Sequence, residues 1–416
     1  MRYSDTPHLD SSDAASPQIA AAARAPSIDA RLLRVLLRAL GSPQVRIVLW
    51  TGEAAYEGAR AVATLRIADR PTLLRLLIRP ELEFGEAYTN GRLHVDGDLV
   101  ALLEAIFAAP ASPLLDGLMS RLRRARGNTP QASRANIHHH YDIGDDFYRL
   151  WLDERMVYTC AYFATGAMSL EQAQVAKMNH VCRKVALRSG ERVVDAGCGW
   201  GALALHMAQH FGVSVRAFNI SHEQIAHARE QCRTAGLAGR VEFIEDDYRN
   251  ISGEYDVFMS IGMLEHVGRE HYGELGRVID RCLAPQGRGL IHTIGRDRPQ
   301  GTNAWLEKHI FPGAHIPTLR EMMDLFEPRG FSVLDVENLR LHYAETLRHW
   351  LQRFEGSVDR VTGMFGERFV RAWRFYLAGS IAGFTTGSMQ LFQVAFAREA
   401  CTAIPWTRAH VYERQP

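Results

Sequence analysis

Apolar and polar positions change their period twice along the chain. In RLLRVLLRAL (31–40) Arg31, Arg34 and Arg38 share one face of a helix and leucines fill the rest, the pattern of a basic amphipathic helix. Such a helix suits a membrane surface, and equally the surface of a small domain. The runs VRIVLW (45–50) and AVATLRIA (61–68) read as strands, and PTLLRLLI (71–78) returns to a helical period. Together they predict an α+β module ending near Phe107. The basic, helix-breaking run RLRRARGNTP (121–130) reads as a linker whose arginines suit solvent or phospholipid headgroups.

From about 133 the pattern predicts helical segments up to 189. Strands and helices then alternate: RVVDAG, a helix after Trp200, VSVRAFNI, a helix after Ser221, VEFIEDD, YDVFMSIG, a helix near 272–283, and GRGLIHTIG. Alternation of this kind means βαβ units, hence an α/β fold with a parallel sheet covered by helices on both faces. The expected organisation is a flexible tail over 1–28, the α+β module over 29–120, a basic linker over 121–132 and the α/β unit over 133–416. Phe375 to Ala397 carries no charge and is long enough to cross a bilayer. Its glycines, Ser, Thr and Gln suit instead a buried helix ending near Gly387 and a strand MQLFQVAFA.

A length of 416 residues supports two or three domains, each able to bury a core without staples. With 48 basic and 47 acidic residues the net charge is +1, so no whole-molecule field favours nucleic acid, and any membrane attraction has to be local. The six cysteines form no C-x-x-C pair, as expected of a reduced, cytoplasmic protein, and no secretory signal pattern opens the chain. His138, His139 and His140 are adjacent and cannot easily converge, and no second ligand cluster accompanies them, so no metal is expected.

Residues 192–201 read RVVDAGCGWG, a short buried strand ending in Asp195 and followed by Gly197, Gly199 and Gly201. Such glycines let the backbone approach a ligand at the carboxyl end of a strand, where open α/β sheets bind. The spacing formally satisfies a dinucleotide fingerprint, but Asn219 stands where the ribose-binding acid of such a site belongs. The D-x-G-x-G-x-G form resembles motif I of the class I S-adenosylmethionine (SAM) methyltransferases. Ser221 and Gln224 in NISHEQ can then serve the ribose, Ser221 also as a helix N-cap, while Asp247 and Tyr248 can meet the adenine.

Further segments together resemble the cyclopropane fatty acid synthases and mycolic acid cyclopropane synthases: HHYDIGDDFYRLWLDERMVYTCAYF (139–163), SIGMLEHVG (260–268), IHTIG (291–295), WLEKHIFPGAHIP (305–317), YAETLRHWLQRF (343–354) and QLFQVAFAR (390–398). Upstream, FGEAYTNGRLHVDGDL (84–99) resembles the smaller N-terminal domain of the bacterial enzymes. The resemblance implies a Rossmann-like, mostly parallel seven-stranded sheet. It also implies transfer of the SAM methyl to a cis double bond of an unsaturated phospholipid acyl chain, through a carbocation that loses a proton and closes to cyclopropane.

It further implies a bicarbonate base held by Cys160, Glu265, His292, Ile294 and Tyr343. The cofactor set carried over is Tyr158, Thr159, Val193, Asp195, Gly197, Cys198, Gly199, Gly201, Asn219, Ile220, Ser221, Gln224, Asp247, Tyr248 and Arg249. Aromatic candidates near the cation are Tyr141, Phe147, Tyr148, Tyr158, Tyr162, Phe163 and Trp305, most of them also suited to the core. Two positions depart from the family pattern: Thr159 stands where Ser is common, and Ser380 where some members carry Cys. Peripheral contact with the inner face of the membrane and a homodimer are the expected associations. Formation of a methyl branch, or N-methylation of a small amine, are the alternative activities.

Overall fold

The computed structural model describes residues 26–109 and 143–412. In the first stretch α1 (Ile28–Ala39), capped by Ser27, precedes β1 (Arg46–Val48), β2 (Ala54–Glu57) and β3 (Thr64–Ile67). Then come α2 (Arg70–Ile78), α3 (Pro80–Thr89), β4 (Leu93–Asp96) and α4 (Leu99–Phe107). The sheet order is β2-β1-β3-β4, with β1 and β3 parallel and the outer pairs antiparallel. Neither β2 nor β4 was expected. Their four residues each are too short for a period to stand out, and only pairing to β1 and β3 defines them.

In the second stretch, residues 143–169 form only one helical turn, Asp145–Tyr148, where helices were expected. The chain is turned there by Asp153, whose carboxylate accepts from the N–H of Arg155 (3.1 Å) and Val157 (2.8 Å), with Met156 held at φ 58°. Local side-chain-to-backbone bonds of this sort compete with a helix. The segment instead lays Phe147, Tyr148 and Trp151, all fully buried, into an aromatic core.

Beyond it, α5 (Leu170–Lys184) leads into β5 (Arg192–Ala196), α6 (Ala202–Phe211), β6 (Ser214–Asn219), α7 (His222–Thr234), β7 (Val241–Glu245) and β8 (Tyr255–Ile261). There follow α8 (Tyr272–Cys282), β9 (Leu283–Gly295), α9 (Ala304–His309), β10 (Phe331–Asn338), α10 (Arg340–Glu355), α11 (Val358–Phe365), α12 (Glu367–Thr386) and β11 (Gln390–Arg398). The seven strands run β10-β11-β9-β8-β5-β6-β7, and β11 alone is reversed. Strands such as β5 and β8 are buried on both faces, as continuous apolar runs in a helix-covered parallel sheet must be. This is the class I SAM methyltransferase fold with a small α+β module in front.

The uncharged stretch ends α12 at Gly387, which takes the left-handed cap at φ 84°, and then becomes β11. Among the described residues no helix is long and apolar enough to cross a membrane. α12 also joins the two stretches. Phe375 packs on Phe84 and Tyr88, Trp305 meets Phe375 edge-on at 4.9 Å, and Arg371 donates to the carbonyls of Tyr88 and Leu93. The basic run at 121–130, His138 to His140, Tyr141 and most of the expected tail lie outside the described residues.

Candidate active site

Strand β5 delivers Asp195 to the carboxyl edge of the sheet, and the chain then turns through Gly197, Cys198 and Gly199 beside the end of β6. The amides of Gly197 and Cys198 both donate to the Phe218 carbonyl, at 2.9 and 3.0 Å. Gly199 has φ 54°, and a Cβ there would project into open space, so bare backbone faces a cavity of about 150 Å³. Tyr158, Thr159, Asp195, Gly197, Cys198, Gly199, Asn219, Ile220, Gln224, Asp247, Tyr248 and Arg249 line this cavity as expected.

Three expected members do not line it. Val193 is core beneath the sheet. Gly201 has φ 88° and packs so closely that a Cβ would lie 2.6 Å from the Phe243 ring. Ser221 is buried as the N-cap of α7, its hydroxyl accepting from the Gln224 N–H.

The cavity's electrostatics come from burial. Asp195 is 1% exposed and among the described residues its Oδ2 has no partner; burial pushes its pKa up to about 7, against the pull of Lys177. Lys177 is itself buried, which lowers its pKa to about 8, and its Nζ donates to Thr159 Oγ1 at 3.0 Å. Asn219 donates to Gln224 Oε1 (2.7 Å) and to the Gly199 carbonyl (3.3 Å), bracing the turn. Arg249 lies over the Tyr248 ring at 4.7 Å while bonding Asp247 and Glu274. An orphaned carboxylate oxygen beside an open glycine cradle fits the ammonium and methionyl backbone of SAM.

A second cavity adjoins the first, sharing Tyr158, Thr159, Gly262 and His266 with it. Its lining includes Cys160, Glu265, His292, Ile294 and Tyr343, so these five residues far apart in sequence meet, beside Thr302 and Ser380. The rest is mostly apolar: Leu306, Phe311, Ile316, Leu347, Phe384 and Leu391. Glu265 Oε1 accepts from the Ile294 N–H at 2.7 Å, while Oε2 is buried with no partner among the described residues. Burial raises the Glu265 pKa to about 7, although the Ile294 N–H opposes this. His292 is held neutral by burial, which drives its pKa well below the usual value. Cys160 donates its thiol to the Ala161 carbonyl, and burial pushes its pKa far up, so it is not a thiolate.

Residues 128–394 match the model of a family described as mycolic acid cyclopropane synthetase. The chain belongs to this family. Residues 32–116 match a second model, described only as a domain of unknown function. One relative, the "Cyclopropane-fatty-acyl-phospholipid synthase" of Escherichia coli (strain K12), is 36% identical over 81% of this chain and 88% of its own length. Another, the "Probable fatty acid methyltransferase" of Pseudomonas putida, is 32% identical over 88% of this chain and 96% of its own. A solved mycolic acid cyclopropane synthase complexed with SAH and CTAB superposes with a TM-score of 0.61 at 28% identity, covering 64% of this chain and 98% of that one. The chain is therefore a SAM-dependent methyltransferase.

Seen as a cyclopropane synthetase family member, the site holds residues the sequence reading passed over. His266, next to Glu265, lines both cavities, and burial lowers its pKa to about 4. Tyr376 on α12 lines the second cavity and meets Tyr158 hydroxyl to hydroxyl at 2.8 Å. Lys177 was passed over as well, its only signal being that lysine occurs just three times in the chain; Tyr376 carried no signal beyond its apolar helix. Of the described aromatic candidates, only Tyr158 lines either cavity. Phe147 and Tyr148 are core, Tyr162 is stacked between His180 and His342, Phe163 stacks on His349, and Trp305 packs at the module contact. Among the described residues no cluster suits a metal ion.

Proposed function

We propose that this enzyme builds a cyclopropane across the cis double bond of an unsaturated phospholipid acyl chain, with bicarbonate as the bound base. The observation that carries the reading is the second cavity: an apolar chamber, open to the cofactor cavity, with a polar cluster in its wall. SAM supplies an electrophilic methyl at its sulfonium. The alkene carbon bonds to that methyl as the C–S bond breaks, leaving a cation on the neighbouring carbon; loss of one methyl proton and closure of a C–C bond give the ring. Tyr158 and Tyr376 present aromatic faces to positive charge, and Leu306, Phe311, Leu347 and Leu391 exclude water that would quench it.

The polar cluster fits a small anion. Cys160, Glu265, His292 and Tyr343 would hold bicarbonate, which supplies the proton acceptor. Glu265 suits the task in its protonated form, because Oε1 is already bonded to Ile294 and Oε2 can then donate a hydrogen bond. The Ile294 N–H acts through Glu265 in this arrangement. Membrane contact is supported by α1 and α2, which expose Ile28 (70%), Val35 (65%) and Ile78 (74%) beside exposed Arg31, Arg38 and Arg75. Such a surface suits peripheral association with an anionic bilayer.

The test is mass spectrometry of monounsaturated phospholipid vesicles after incubation with enzyme and SAM. A gain of one CH2 with loss of the olefinic signals is expected. A gain of CH4 rather than CH2, again with loss of the alkene, would mark reduction of the cation to a methyl branch and favour that second reading. No gain with any lipid would remove both.

A further inference from the structure

The imidazole of His292 is 2% exposed, and among the described residues its one hydrogen-bond partner is Gln393. The two residues face each other in register across the antiparallel pair β9 and β11, and Gln393 Nε2 lies 3.1 Å from His292 Nδ1. Gln393 is completely buried, and among the described residues its Oε1 has no partner. It lines neither cavity, so it reaches the reaction only through the ring it touches. We propose that Gln393 is the positioning residue that fixes the tautomer of His292, so that the ring offers an N–H rather than a lone pair to the second cavity.

The argument is one of hydrogen count. A neutral imidazole carries a single ring hydrogen, and the partner of one nitrogen decides which atom holds it. An amide N–H pointing at Nδ1 requires a lone pair there, so the hydrogen sits on Nε2. The reversed amide would accept from Nδ1–H and turn Nε2 into an acceptor. An acceptor facing an anion beside Glu265 repels it, whereas a donor binds it. An ionised glutamate at 393 could only accept, and would impose the wrong tautomer; a glutamine can donate without bringing a second buried charge. The position of β11, the one reversed strand, is what sets this amide against the ring. The inference rests on the reading of the cavity as an anion site.

The test is nitrogen NMR of protein labelled with 15N at histidine ring atoms, the His292 signals being assigned by their loss in His292→Ala. In the unmodified enzyme the hydrogen is expected on Nε2; finding it on Nδ1 would overturn the proposal. Gln393→Met, close in volume, should give a mixture of tautomers, and Gln393→Glu should move the hydrogen to Nδ1 or protonate the ring. An unchanged His292 signature in both variants would also overturn it. In Gln393→Met the bicarbonate concentration giving half-maximal rate should rise about tenfold while SAM affinity stays the same. A tautomer shift without that change supports the positioning role and removes His292 from the anion site instead.

Discussion

Two buried carboxyls, both with pKa near neutrality, govern what the site can do. Glu265 rises from 4.5 to about 7 on burial, so it holds a proton below that value and becomes an anion above it. At fixed bicarbonate concentration, anion affinity should therefore fall as pH rises through about 7. Glu265→Leu should lower kcat at least about 100-fold while leaving SAM affinity intact, because Glu265 does not line the cofactor cavity. Whatever rate remains in Glu265→Gln should lose the pH response, since an amide donates at every pH. Asp195, also raised to about 7 by burial, lines the cofactor cavity and among the described residues has one carboxylate oxygen without a partner. An ammonium placed there favours the ionised form, so SAM binding should release a proton below about pH 7 and tighten as pH rises through it. Calorimetry in buffers of different ionisation heat measures that proton; a heat independent of buffer at pH 6 would remove Asp195 as the ammonium partner.

The elements around β5 separate residues that touch a ligand from residues that shape the turn. Ser221 caps α7 and does not line the cofactor cavity. Ser221→Ala should lower stability by about 1 kcal/mol and leave the SAM dissociation constant within about twofold, as thermal melts and titration would show. Gly201→Ala should do worse. Its backbone sits at φ 88° and the added carbon would press on Phe243 and Ala228, so a loss of about 2–3 kcal/mol is expected. The glycine spacing was readable as a ligand turn, yet which glycine faces the ligand and which faces the core depends on where β7 and α7 pack. The same holds for 143–169, whose apolar content reads as helix until Asp153 is seen to turn the chain.

At the scale of the molecule, α12 serves both stretches: it carries Tyr376 and Ser380 to the second cavity and buries Phe375 against α3. Gly85 on α3 lies under Trp305, where a Cβ would come within 2.5 Å of the indole, so the contact needs a glycine. The net charge of +1 leaves membrane attraction to local surface. Replacing Arg31 and Arg38 with Glu and Val35 with Asp should cut turnover on anionic vesicles about tenfold or more, since each basic group near the surface contributes about 1 kcal/mol. SAM affinity and turnover on detergent-dispersed lipid should be unchanged; equal losses on both substrates would argue that α1 only supports the module. Arg34 is excluded from this set because its Nε donates to the Ala55 carbonyl.

The strand–helix alternation of the α/β unit and the glycine turn after Asp195 were legible in periodicity and spacing, whereas Cys160, Glu265, His292, Ile294 and Tyr343 were reached only through resemblance to a family. The structure alone decided which of them meet. Cys160, Glu265, His292 and Tyr343 come from four separate segments, and only the stacking of β8, β9 and α10 at one sheet edge brings them to a common wall. It also decided the protonation of the site. A carboxyl near pH 7 and a neutral histidine follow from burial, and their hydrogen bonds come from residues distant in sequence, Ile294 for Glu265 and Gln393 for His292, so no local pattern of residues carries that information.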